Sequence, residues 1–151
     1  VEISAKTDYA VRALLGLAVR YPELVKVDVL VADQKLPRKF LEAILGDLRR
    51  ANLVRSQRGA EGGYALARPA SQITLGQIIR AVDGPLAEVR GLRPHEMTYE
   101  GIAEHLPQVW VAVRASLRRV LDETTVAQVL SGKLPAHVRK LNEAPDAWQS
   151  R

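Results

Sequence analysis

The stretch LPRKFLEAILGDLRRANLVRSQRGAEGGYALARP, residues 36–69, constrains the fold more than any other. Leu41, Ile44, Leu45 and Leu48 recur at helical spacing and predict an amphipathic helix over 38–50. Phe40 lies beside that apolar stripe, while Lys39, Glu42, Ala43 and Gly46 point away from it. Asn52 is a plausible helix stop. Two short runs, 53–57 and 64–68, then flank the glycine-rich link 58–63, where a tight hairpin tip requires positive φ. With Lys35 included, the stretch holds eight Lys/Arg against three acids, Glu42, Asp47 and Glu61. A helix with bases on its outer face that runs into a basic hairpin is the build of a winged helix-turn-helix. Double-stranded DNA is the partner such a surface fits.

The flanks extend this pattern. Ala10, Ala13, Leu14, Leu17, Ala18 and Tyr21 share one helical stripe and predict a helix from residue 5 to residue 20, with Ser4 as N-cap and Pro22 past the end. Residues 27–34, VDVLVADQ, are apolar and short; periodicity leaves strand and buried helix open, and their place before the next helix favours a short helix. Thr74 and Gln77 form a capping box for a helix that buries Leu75, Ile78, Ile79 and Val82 and stops at Asp83–Gly84–Pro85. Residues 85–103 lack a strong period. A longer helix over 104–122 carries the wide stripe Leu106, Val109, Trp110, Val113, Leu117, Val120 and Leu121. Thr124 or Thr125 caps a last helix that Gly132 ends, and from about Asn142 a frayed tail is expected.

Composition narrows the function classes. The 151 residues carry a net charge of +5, and residues 1–84 hold most of it, with 13 bases against 9 acids. Such a patch fits phosphate binding, although charge alone fits a merely basic protein equally well. The chain has no cysteine, which excludes disulfides, thiol catalysis and cysteine-ligated zinc or iron–sulfur sites. No apolar run approaches the ~18 residues of a membrane span, and a cytoplasmic, non-membrane protein is expected. Nothing resembles catalytic machinery. No convincing Ser/His/Asp arrangement occurs, Gly132–Lys133 is followed by Leu134 rather than Ser/Thr, and the glycines at 59, 62 and 63 do not lead from a strand into a helix. The chain is expected not to be an enzyme.

ISAKTDYAVRAL near the start, FLEAIL in the middle helix, RGAEGGY in the hairpin and ITLGQIIRAVDGP after it resemble, in combination, the Rrf2 family of bacterial transcription regulators. VWVAVRASLRRVLDETTVAQVL is similar to that family's long dimerisation helix and its capped successor, so the resemblance covers roughly residues 2–131. It implies a mainly α fold with a small β-hairpin wing, divided into a winged helix-turn-helix head over 1–84, a loop and dimerisation helices over 85–131 and a C-terminal tail over 132–151. It also implies a homodimer on a palindromic operator, with each recognition helix in a major groove and each wing in a minor groove. Val109, Trp110, Val113, Leu117, Val120 and Leu121 would form the dimer interface, a stripe that on its own fits a core helix as well.

The positions matching the family's base-reading residues are Arg38, Lys39, Glu42 and Ala43. Glu42 can accept from cytosine N4, or it is a solvated acid or an intrahelical partner of Lys39. Ala43 stands where a longer polar side chain is common, leaving at most a contact with a thymine methyl. Arg58 beside Gly59 is suited to a narrow minor groove, or is an ordinary exposed arginine. The family's usual tip is RGPGGGY; here Ala60 and Glu61 intervene, making the loop less rigid and adding an acid. Ser4, Lys6, Thr7 and Tyr9 at the first helix's start are candidates for phosphate contacts, and Arg49, Arg50 and Arg55 for positioning contacts.

Many family members hold an iron–sulfur cluster through three cysteines in the loop before the long helix. The corresponding loop, GLRPHEMTYEGIAEHLP, has none, so a conventional cluster is not expected. His95, Glu96, Glu100, Glu104 and His105 remain as a minor set of metal-donor candidates; solvated side chains are favoured, with a small ligand or partner protein as the signal or no sensing in this segment at all. The leading expectation is a dimeric, cluster-free DNA-binding regulator, a repressor. The competing one is a protein-interaction module that kept the fold and lost DNA reading, which Ala43, Glu61 and the tail would support.

Overall fold

Ser4 starts the first helix. Its hydroxyl accepts from the Thr7 amide at 3.0 Å, and α1 runs over Ala5–Ala18 in the computed structural model, which describes residues 1–151. The expected end at residue 20 is two residues late. The amides of Arg20 and Tyr21 bond three residues back, to Leu17 and Ala18, which tightens the turn and carries Tyr21 off the buried stripe. Residues 27–34 are helical: α2 spans Val27–Gln34 and ends at Lys35, which adopts φ 52. Gly16 lets α2 approach α1, since a Cβ there would stand 2.7 Å from Leu30 Cδ2.

After Pro37, α3 covers Arg38–Arg50, and Asn52 at φ 60 turns the chain into the hairpin. Strands β1 (Val54–Gln57) and β2 (Gly63–Leu66) pair antiparallel, with Val54 opposite Leu66 and Gln57 opposite Gly63. The hairpin does not stand alone. Val25, just before α2, exchanges two backbone hydrogen bonds with Tyr64, at 2.7 and 2.8 Å, and so pins one edge of the wing to the head. Arg68, expected within the second strand, lies beyond it and donates to the carbonyls of Gln72 and Asn52, each at 3.1 Å.

Helix α4 (Leu75–Val82) starts at the Thr74–Gln77 capping box, whose two bonds measure 3.2 and 3.0 Å. Short 3-10 turns at Pro94–Glu96 and Gly101–Ala103 lead to α5 (Leu106–Leu121), which begins later than residue 104 because Pro107 occupies its first turn. Thr125, not Thr124, caps α6 (Val126–Ser131); Thr124 instead donates from its hydroxyl to the Val120 carbonyl at 2.6 Å. The two capping segments lie side by side, with the Leu75 amide bonded to Thr124 and the Val126 amide to Ile73. Val126 is thereby fully buried in the same core as Leu14, Leu17, Leu41, Leu45 and Ile78. So α6, grouped by sequence with the dimerisation segment, packs into the core formed by α1, α3 and α4.

The C-terminal stretch contains a further helix, α7 (Ala136–Asn142), which the sequence did not reveal. His137 Nε2 lies 2.8 Å from the Arg119 carbonyl, and the Trp148 indole donates to the Asn142 carbonyl at 2.6 Å, so the chain past Asn142 folds back rather than simply fraying.

Arg80 of α4 grips Asp122, at the end of α5, through two hydrogen bonds of 2.6 and 2.9 Å. The pair crosses Gly76, where a Cβ would run into the Asp122 carboxylate. Hydrogen bonding from Arg80, with lesser help from the Arg118 charge, outweighs desolvation and holds the Asp122 carboxyl below the usual range. A depressed folded value means the pair contributes fully above the ordinary Asp value, about 3.9, and is lost as the pH falls through the folded value. Asp122→Asn should therefore lower stability at neutral pH and flatten the loss of stability below about pH 4. Unfolding midpoints measured across that interval check this, and an unchanged acid slope would contradict it.

Candidate nucleic-acid interface

Helix α3 turns Leu41, Ile44, Leu45 and Leu48 inward, each no more than 1% exposed. That leaves Arg38, Lys39, Phe40, Glu42, Ala43, Arg49 and Arg50 on the surface. Phe40 is 62% exposed, because the four inward side chains fill the space facing the head and the adjacent position falls outside it. An exposed phenyl ring beside the bases is a feature the apolar period did not signal.

The ion pairs on this helix sort its charges. Arg38 pairs with Asp28 of α2 and, at 3.6 Å, with Glu42, so the partner of Glu42 is Arg38 rather than Lys39. Asp47 is held by Lys6 at 2.8 Å and by Arg50, and hydrogen bonding from Lys6 is the largest cause of its lowered pKa. Lys39 and Arg49 stay outside these pairs. Ala43 is exposed on the same helix.

The start of α1 is arranged differently from an open phosphate site. Asp83, directly after α4, accepts hydrogen bonds from the Thr7 hydroxyl at 2.6 Å and from the Ser4 hydroxyl. Its carboxylate takes up both hydroxyls and, being an anion itself, would repel a phosphate there; Thr7 is only 4% exposed. Lys6 is committed to Asp47, and Tyr9 is half-buried against the core with the Arg12 guanidinium 5.9 Å from its ring centre. The KTDYA and AVDGP motifs thus meet across the fold. Asp83 was not singled out as a functional residue, since nothing local links it to a hydroxyl 76 positions away.

At the wing, Arg58, Gly59, Ala60 and Glu61 are all exposed. The tip closes through a 3.0 Å bond from the Gly62 amide to the Gly59 carbonyl, with Gly59 at φ 105. A Cβ on Gly62 would collide with the Gln57 carbonyl, so Gly62 shapes the turn. Arg55 donates to the Pro22 carbonyl at 2.9 Å and braces the base of the wing.

Helix α5 has no fully buried residue. Trp110, Val113 and Leu117 line an apolar cleft of about 550 Å³ with Val1, Leu86 and Pro94. Leu121 faces Ile79 and Pro85, while Val120 turns towards Val138, Leu141 and Trp148 of the C-terminal segment. Val109 is 52% exposed. The stripe assigned to one interface is therefore divided among three neighbourhoods.

The remaining donor candidates do not converge. His95 Nδ1 lies 2.7 Å from Arg114, Glu96 accepts from the Arg93 amide at 2.8 Å, and His105 pairs with neighbouring Glu104 at 3.4 Å. Glu100 is exposed, and no three His, Asp or Glu side chains gather anywhere in the chain.

Comparison with known proteins places this geometry. Residues 3–132 match the model of the Rrf2 family, described as an iron-dependent transcriptional regulator. Rv1287 of Mycobacterium tuberculosis, which carries the name of an HTH-type transcriptional regulator, is 47% identical over 151 residues, covering 99% of this chain and 94% of the relative. CymR, the global cysteine regulator of Bacillus subtilis, has a solved structure that superposes with a TM-score of 0.73 at 32% identity, covering 87% of this chain and 98% of that one. The solved T. potens IscR superposes with a TM-score of 0.69, also at 32% identity and covering 88% of each chain. The iron in the family description does not fit the residues present here: residues 91–106 supply no thiol, and their nitrogen and oxygen donors do not gather into a group of three. In fold, motifs and overall sequence, the chain belongs to the Rrf2 family of transcriptional regulators.

Proposed function

We propose that this protein is a homodimeric, sequence-specific repressor of transcription that acts in the cytoplasm without an iron–sulfur cluster. The observation that carries the proposal is the outer face of α3, where Lys39, Ala43 and Arg49 are exposed and unpaired, with the Arg58 tip on the adjoining hairpin. The small side chain of Ala43 lets that face approach base edges closely, while Lys39 and Arg49 supply charge for phosphates. Arg38 and Glu42 hold each other ready: duplex phosphate can draw Arg38 away and free the carboxylate to accept from cytosine N4. Arg58 enters the adjacent minor groove. Two such heads, joined through α5, read a palindromic site. The incomplete burial of α5 and the exposure of Val109 support that joining.

Selection from random duplexes tests the reading. An enriched palindrome is expected, bound as a dimer, with affinity that falls steeply with salt. Arg58→Ala should weaken binding by about tenfold across sequences, and Glu42→Ala should relax preference at one base pair per half-site while costing about 1 kcal/mol. In vitro transcription from a promoter carrying the enriched site should fall when the protein is added. Absence of any enriched site, together with no duplex binding at low salt, would reject the proposal in favour of a protein-interaction role.

A further inference from the structure

Where α4 ends against α5, the loop after Gly84 closes over a cleft of about 360 Å³. Arg80, Arg93, His95, Arg114 and Arg118 line it, and no carboxylate does. Leu86 and its small neighbours Pro85 and Ala87 form the apolar part of the wall. Arg80 is held by Asp122, which the Arg118 charge also reaches; Arg93 and Arg114 form no ion pair with a carboxylate. A guanidinium has no acceptor, so the 2.7 Å contact between Arg114 and His95 uses the Nδ1 lone pair and leaves Nε2 as the donor of that ring.

Four guanidiniums in one concave wall repel one another, and nothing in the mainly helical fold requires them to meet there. They suit a ligand with several oxygen acceptors, because each planar fork can take two oxygens of a phosphate or carboxylate. The volume exceeds that of a single inorganic anion and lies within the range of small-molecule sites. From this geometry we infer that the cleft is a binding site for a small multivalent oxyanion, bearing two or more phosphate or carboxylate groups on a compact body. Arg93, from the loop, and Arg114, from α5, would bind the ligand, with Arg80 held in place by Asp122. Since α4 belongs to the head and α5 lies outside its core, a bound anion ties the two together.

Thermal unfolding of the full chain in phosphate-free buffer, titrated with pyrophosphate and with citrate at constant ionic strength, tests the site. At least one of the two is expected to raise the midpoint saturably, where sodium chloride of equal ionic strength does not. The Arg93→Ala/Arg114→Ala double variant should shift the half-saturating concentration upward by about tenfold or more. Arg93→Ala alone, at an exposed position, should give a smaller shift in the same direction if the double variant folds poorly. No saturable response to either probe overturns the inference. So does an undiminished response in the variants, which would move the anion to the α3 and wing surface. Loss of duplex affinity in the double variant without any added anion overturns it as well, because the arginines would then belong to the DNA surface. Failure of the anion site leaves the α3 and wing proposal intact, since neither element contributes a residue to the cleft.

Discussion

Gly63→Ala is expected to destabilise the protein by about 2–4 kcal/mol, through strain at a backbone position closed to other residues. Gly63 adopts φ 149, and a Cβ there would stand 2.5 Å from the Val25 carbonyl oxygen. That carbonyl cannot move aside, because it accepts the Tyr64 amide at 2.8 Å in the bond that pins the wing to the head. Alanine must therefore either strain the backbone or break the attachment. Gly59→Ala is the matched comparison. It also has positive φ, at 105, but nothing lies within 4 Å of the added atom, so only the conformational cost of about 1 kcal/mol applies. Denaturant unfolding of both variants measures the difference, and equal costs would show that contact with Val25 does not set the wing's position.

Asp83→Ala should cost about 1–3 kcal/mol, the penalty for leaving a buried hydroxyl without its acceptor. Thr7 is 4% exposed and donates to this carboxylate, and removing Asp83 also withdraws the negative charge at the start of α1. Asp83→Asn keeps a carbonyl acceptor and should recover part of the loss. An Asp83→Ala variant within about 0.5 kcal/mol of the parent would mean that the two motifs meet without stabilising each other.

These two sites mark where sequence reasoning stops. Helices α1, α3 and α4 were legible because each carries four or more apolar residues at one spacing, and the Thr74 cap because its capping box is complete within four residues; residues 27–34 were placed by position rather than period, and the choice between Thr124 and Thr125 stayed open. The hairpin was legible from its glycines. Asp83 was visible only as a helix stop, since its partners lie 76 and 79 positions away. Tyr21 left its stripe because the last turn of α1 tightens, and α7 was overlooked because seven residues are too few to display a period. Of the candidate interface, the sequence named Lys39, Glu42, Ala43 and Arg58. Only side-chain geometry showed Lys6 and Ser4 already engaged, Arg38 joined to Asp28 and Glu42, and Phe40 exposed.

The sequence by itself determined the main helices and the hairpin of the winged head, the likeness to a family of regulators and the absence of any thiol to hold a cluster. These follow from local spacing and residue chemistry, which no long-range contact can alter. Tertiary structure alone decided which charges remain available: Asp47, Asp28 and Asp83 occupy bases and hydroxyls that looked free, while the arginines of α4, α5 and the loop between them converge on one cleft. Charge pairing acts over a few ångströms in space and is blind to separation along the chain, so it becomes readable only once the helices have packed.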